Sequence, residues 1–389
     1  MAFEFDRYGR SELARRRGVK WRRDRGEVLP AWIADMDFPI AAEITAALTG
    51  LIAADDLGYP DPSLEEEVRT TFAARQAARY GLMVDPALVA VVSDVVQAIY
   101  LAILGLTEPG DAVVFLTPAY PPFFSAVEET GRQAIPCDLR PSGDRYEIDF
   151  ASLRSLVERH RARLFLLCNP HNPTGRSFSR EELLEIGAIA LEHNMVVVSD
   201  EIHADLTLAG ATHTAFGSLG EEAASQTITL SSASKAFNLA GLRCAVAAFG
   251  SERLWDQFER FPAHARGSAS VLGMLAAVTA WTKADPWLEA LLLVLARNRE
   301  FVESFLSSRA SEIVMRPPEA TYLAWLDLRA LDPGADPAVW LQERAGVALS
   351  PGPTFGEAGR GHARLNFATS MPVLTELLER VAAAVARRD

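Results

Sequence analysis

From residue 88 onward, short unbroken apolar runs alternate with longer segments in which apolar residues recur every three or four positions. The runs Leu88 to Val92, Ala112 to Leu116, Gln133 to Cys137, Leu164 to Cys168, Met195 to Ser199, Thr227 to Leu230 and Cys244 to Phe249 predict strands. Val95 to Leu106, Pro121 to Glu129, Phe150 to His160 and Arg180 to His193 predict helices between them. Strands that are apolar on both faces need helices above and below, so the expected fold is α/β with a mostly parallel central sheet. In such sheets ligands bind at the carboxyl ends of the strands.

The flanks differ from this pattern. The first forty residues are weakly periodic and predict an arm that takes its order from the rest of the protein or from a second subunit; it contains Trp32-Ile33-Ala34-Asp35-Met36-Asp37-Phe38-Pro39. A helix is expected over Ala41 to Ala54, then a rigid exposed loop, Gly58-Tyr59-Pro60-Asp61-Pro62, that presents Tyr59. Ser63 with Glu66, and Ser179 with Glu182, have capping-box spacing and are expected to start helices. Beyond Phe249 come helices Glu252 to Phe261, Ala269 to Thr282 and Pro286 to Ser307. Strands over Thr321 to Leu328 and Ala363 to Phe367, with helices Pro337 to Ala345 and Pro372 to Arg387, predict a smaller α+β unit. The expected division is an arm at 1–45, a large domain at 46–284 and a small domain at 285–389.

Composition narrows the function classes. The 389 residues are 49% hydrophobic and 23% charged, as in a soluble globular protein with room for about two cores. A net charge of -13 argues against nucleic acid as the main partner. The basic run Arg15, Arg16, Arg17, Lys20, Arg22, Arg23 and Arg25 is expected to be solvated or intersubunit. Cys137, Cys168 and Cys244 sit in apolar strands and are expected to be reduced core residues, with no metal site. The start, Met-Ala-Phe-Glu-Phe-Asp, lacks a secretion-signal pattern, and the apolar stretch Leu288 to Ala296 is too short to span a bilayer. The expected setting is the cytoplasm, without a membrane partner.

The strand ends carry the candidate chemistry. After Thr227 to Leu230 comes Ser231-Ser232-Ala233-Ser234-Lys235, with Arg243 eight positions on. A lysine among small residues, with hydroxyls and an arginine near it, suits a Schiff base to pyridoxal 5'-phosphate (PLP); alone, the stretch equally suits a solvated lysine at a strand end. The other strand ends supply what that cofactor needs. Asp200 could keep a ring nitrogen protonated, Asn172 could donate to the ring oxygen, and Tyr120 could cover the ring face. The amides of Val95 and Val96, the hydroxyls of Ser232 and Ser234, and Arg243 could hold a phosphate. Arg364, together with Asn172, is the candidate for a substrate carboxylate.

Pro170-His171-Asn172-Pro173-Thr174-Gly175, Asp200 28 residues after Asn172, Lys235 35 after Asp200 and Arg243 8 after Lys235 resemble the class I/II aminotransferase superfamily of PLP fold type I. Within it, Trp32 to Phe38, Asn169 to Pro173, and Ser234 to Leu242 are similar to the MalY/PatB-type carbon–sulfur lyases, as is His203, where typical aminotransferases carry tyrosine. The resemblance implies a homodimer in which Tyr59 reaches the neighbouring active site, a cofactor role for His203, and β-elimination from cystathionine-like or other cysteine S-conjugates. Lys235 would be Schiff base and α-proton base. An aminotransferase of a small amino acid would use the same residues. A catalytically weak PLP-binding regulator would need an added partner module, and none of helix-turn-helix size is expected ahead of the arm. Asp94-Val95-Val96-Gln97 departs from the family's usual Gly-Val-Val-Pro phosphate loop: an acid turned inward there would repel the phosphate, whereas at a helix N-cap it could face the amides instead.

Overall fold

The computed structural model describes residues 3–24, 26–334 and 336–387; Arg25 of the basic run lies outside them. The expected strands form one sheet: β1 (Val89–Val92), β2 (Ala112–Thr117), β3 (Gln133–Asp138), β4 (Leu164–Cys168), β5 (Val196–Asp200), β6 (Thr227–Ser231) and β7 (Ala245–Phe249). Their order is β1-β7-β6-β5-β4-β2-β3. β7 runs antiparallel to both neighbours, and every other pair is parallel.

All these strands except the edge strand β3 are buried throughout, which is why they read as continuous apolar runs. One face packs on the helices Val95–Leu106 and Pro121–Glu129 through Ile99, Ile103, Phe123 and Val127; the other packs on Phe150–His160 and Arg180–Glu192 through Leu153, Val157, Leu183 and Ile186. The register aligns Cys168 with Asp200 and Asp200 with Leu230. The carboxyl ends of β4, β5 and β6 therefore lie side by side, bringing Asn172, Asp200 and Lys235 into one region.

A second sheet is antiparallel, in the order β8-β9-β11-β10, from β8 (Val314–Met315), β9 (Leu323–Asp327), β10 (Ser350–Pro351) and β11 (His362–Asn366). The arm joins this unit: Leu29–Pro30 pairs in parallel with Val347–Ala348, and Phe5 packs against Phe38 and Trp287. The TG turn of the β4 loop abuts the same unit. A Cβ on Gly175, at φ +72°, would lie 2.2 Å from Pro318.

Ser179 and Glu182 form the expected capping box, but Ser63 does not cap its helix. The helix Pro62–Tyr80 starts two residues earlier: Asp61 is the cap, its carboxylate accepting from Ser63 N at 2.8 Å, and Pro62 takes the first helical position, where its missing N–H costs nothing. Lys20 is also not solvated. It is 2% exposed and pairs with Asp37 at 2.8 Å, because the arm folds back over it. A hairpin, Arg140–Ser142 with Arg145–Glu147, is too short and polar to have a sequence signal. The three cysteines are buried and free. Among the described residues, no helix is long and apolar enough to cross a membrane, and no cluster of metal-ligating side chains occurs.

Candidate active site

Lys235 lies on a single helical turn, Ala233–Ala236, at the end of β6. Ser232 caps that turn, accepting from Ser234 N at 3.0 Å and donating its hydroxyl hydrogen to Cys244 O at 2.6 Å. Its hydroxyl is thus committed to shaping the turn, whereas that of Ser234 is half-buried and unengaged. Lys235 Nζ donates to Ala34 O at 2.9 Å. Burial, helped by the nearby charge of Arg364, lowers the lysine's pKa against the opposing pull of Asp35 and Asp200. An amine so placed is more readily neutral and therefore nucleophilic.

Asp200 is buried at the end of β5, with Oδ1 accepting from Ile202 N at 3.1 Å and Oδ2 unbonded among the described residues. Burial pushes its carboxyl up to about 7. Such a group is relieved by a cationic N–H brought against it. Glu201 is used differently. It accepts from Ser199 Oγ and Phe216 N, both at 2.9 Å, and pairs with His213 at 3.0 Å, anchoring the following loop. His203 is buried, with Nδ1 lacking a partner; burial first, then Lys235 and Arg364, push its imidazole down to about 3, so it is neutral.

Arg364, on β11, is buried and has no carboxylate partner among the described residues. Nη1 donates to Asn172 Oδ1 at 2.9 Å, and Nη2 to Trp32 O at 2.9 Å and Ser350 Oγ at 3.0 Å; Nε has no partner. Burial lowers its pKa to about 10. Because Asn172 Oδ1 accepts from the arginine, its amide Nδ2 is left as a donor. Tyr120 caps the helix Pro121–Glu129, half-buried; its phenol is raised by burial and feels both Arg364 and Asp200.

The phosphate-binding candidates gather at the start of the helix Val95–Leu106. Asp94 is the cap, accepting from Gln97 N at 2.8 Å and pairing with Arg243 at 3.0 Å, while Gln97 Oε1 accepts from Ser93 N at 3.0 Å. The departure from the family pattern is thus a reciprocal cap. It leaves the amides of Val95 and Val96 unengaged beside Arg243, the arrangement that favours an anion. Tyr59 stands apart, fully exposed at 104% and without a hydrogen-bond partner among the described residues.

The arm contributes more than its sequence signals. Five successive carbonyls are each held by side chains: Trp32 by Arg364 and Ser350, Ile33 by Asn366, Ala34 by Lys235 and Tyr322, Asp35 by Lys20 and Asn366, and Met36 by Asn238. Tyr322, Asn366 and Asn238 were not expected from sequence. Their partners are backbone atoms about 200 to 330 residues away, which no local pattern encodes.

A lysine amine, an under-bonded buried carboxyl, an unpaired arginine and free helix amides fit an aldehyde cofactor that carries a ring nitrogen and a phosphate, together with an amino acid. This architecture is PLP fold type I, and the chain belongs to the class I and II aminotransferase family, whose model matches residues 35–381. It is 36% identical over 384 residues to cystathionine beta-lyase PatB of Bacillus subtilis, covering 97% of this chain and 98% of that one. The crystal structure of cystalysin from Treponema denticola, which contains pyridoxal 5'-phosphate, is similar with a TM-score of 0.92 and 31% identity, covering 99% of each chain. The N-succinyldiaminopimelate aminotransferase of Mycobacterium tuberculosis is similar with a TM-score of 0.83 and 27% identity, covering 91% of this chain and 92% of that one.

Proposed function

We propose that the protein is a PLP-dependent carbon–sulfur β-lyase that cleaves cystathionine-like thioethers or other cysteine S-conjugates to a thiol, pyruvate and ammonia. The observation that carries this reading is Arg364, buried without a carboxylate partner and held by Asn172 across from the amine of Lys235, in a chain with near-full-length likeness to a cystathionine β-lyase. When bound, the cofactor supplies an electron sink for the bond to the α-hydrogen.

The chain's residues do the rest. Lys235 would hold the cofactor's aldehyde carbon and, as a free amine, would take the α-proton. Asp200 would keep the ring nitrogen protonated, and the Asn172 amide would donate to the ring oxygen. Tyr120 would cover the ring, and His203 stays neutral. Val95, Val96, Ser234 and Arg243 hold the phosphate, with Ser232 shaping the turn. Arg364 takes the substrate carboxylate in bidentate fashion. The proton removed and the thiolate released leave from adjacent carbons, so no net redox change is needed.

The exposed Tyr59 supports a homodimer in which a second copy receives this ring, and light scattering tests it. We also propose the division 1–45, 46–284 and 285–389, and a cytoplasmic setting. A second reading, an aminotransferase, is favoured by the likeness to the succinyldiaminopimelate enzyme. Incubation with cystathionine, and separately with alanine plus 2-oxoglutarate, decides between them. Pyruvate and free homocysteine from the first, without glutamate from the second, are expected; glutamate without thiol release would overturn the lyase reading.

A further inference from the structure

Ala34 is buried, and its carbonyl oxygen accepts from Lys235 Nζ at 2.9 Å and from the Tyr322 hydroxyl at 3.0 Å. The two donors differ in permanence. Tyr322 is 1% exposed, and burial raises its phenol far above the usual range, so it donates at every working pH. Lys235 donates only while its nitrogen is an amine. When that nitrogen becomes double-bonded to an aldehyde carbon, both amine hydrogens depart with the aldehyde oxygen as water, and the bond to Ala34 is given up. A buried carbonyl left with no donor is costly.

We propose that the Ala34 carbonyl is the holding point for the free amine of Lys235, and that Tyr322 is a positioning residue that keeps this carbonyl satisfied when the lysine reacts. It rests on the function proposed above only in taking Lys235 as the reacting amine. The Ala34 carbonyl and Tyr322 are both rigidly placed. The carbonyls on either side of Ala34 are held by Asn366 Nδ2, at 2.7 Å from Ile33 O and 2.6 Å from Asp35 O. Tyr322 follows Thr321, a β-branched residue held at φ +73°, in the left-handed region such residues avoid. That backbone is tied by Thr321 N to Leu206 O at 2.9 Å and by Leu323 N to Thr321 Oγ1 at 3.1 Å. His203 meets the Tyr322 ring edge-on at 6.4 Å, closing its other side.

Removing only the hydroxyl makes the lysine the sole donor to Ala34. The free amine is then favoured over any covalent state, and it is also less available to reagents. In the Tyr322→Phe protein, stripped of cofactor and titrated with pyridoxal phosphate, borohydride trapping at Lys235 read by mass spectrometry should require about tenfold more aldehyde than in the wild type. Without cofactor, reductive methylation of Lys235 by formaldehyde at fixed pH should be several-fold slower. Both changes, in a variant that melts like the wild type, support the proposal; either quantity unchanged or moved the other way overturns it. Tyr322→Leu, read by the same two measurements, serves if Tyr322→Phe does not fold. A wild type that fixes the aldehyde at Lys235 yet releases no thiol from cystathionine would overturn the lyase reading and leave this one standing.

Discussion

Four basic side chains in and around the site divide into two kinds. Arg176, next to the β4 loop, is neutralised by Glu319 at 3.0 Å and Glu182 at 2.7 Å and also donates to Tyr146 O; Lys20 is neutralised by Asp37 at 2.8 Å. Arg364 is buried and Lys235 half-buried, and both bond only to carbonyl, amide and hydroxyl oxygens. A buried charge without a counter-charge is expensive, and hydrogen bonds to neutral acceptors offset only part of that cost. The first pair is complete in the folded chain and holds the arm and the loop in place. The second is complete only with an anion or an electrophile present.

Substitution should separate the two kinds. Arg364→Ala should lower kcat/KM for cystathionine on the order of 10²–10³-fold, because a substrate carboxylate loses its buried partner, while the melting temperature of the cofactor-free protein holds or rises. Arg176→Ala, in contrast, strands two carboxylates. Calorimetry should show a stability loss of roughly 3–5 kcal/mol, with kcat/KM little changed at temperatures where the variant is folded.

The comparison extends to acids. Asp200 has its folded pKa raised to about 7, above that of an unfolded aspartate, so the native state binds the extra proton between about pH 4 and 7. Its contribution to the cofactor-free protein is therefore present at low pH and lost as pH rises through 7. The depressed imidazoles of His171 and His203 act in the opposite sense, so the informative quantity is the difference in melting temperature between wild type and Asp200→Asn. That difference should change steadily between pH 4 and 7; a flat difference would refute the raised carboxyl. Asp94, a carboxylate with both a cap and an ion pair, should behave structurally. Asp94→Ala should cost about 1 kcal/mol of stability in chemical denaturation without abolishing affinity for pyridoxal phosphate.

Some of the site was legible before any fold was known. Lys235, Asp200, Asn172 and Arg243 follow strands or open turns whose apolar runs are local, so their neighbourhood at one sheet edge could be inferred. From sequence Asp94 could either repel a phosphate or cap the helix; the fold decides for the cap, turning it toward Gln97 N and Arg243. Ser63 does not cap its helix for a related reason: Asp61 and Pro62 compete for the same helix start, and the proline settles it. Arg364 was legible as a cation, but its lack of a counter-charge was not.

Strand identity, helix caps such as Ser179, the alternation that builds the central sheet and the residue types able to hold an aldehyde, a ring nitrogen and a carboxylate were all determined by the chain alone. Periodicity and short-range hydrogen bonding act within a few residues, and a sequence displays them directly. Which carboxylates neutralise which cations, the packing of Tyr322 against Ala34, and the five arm carbonyls clamped between the two sheets were decided only by tertiary structure. Those contacts join residues up to 333 positions apart, and a backbone carbonyl looks the same at every position until the fold gives it a neighbour.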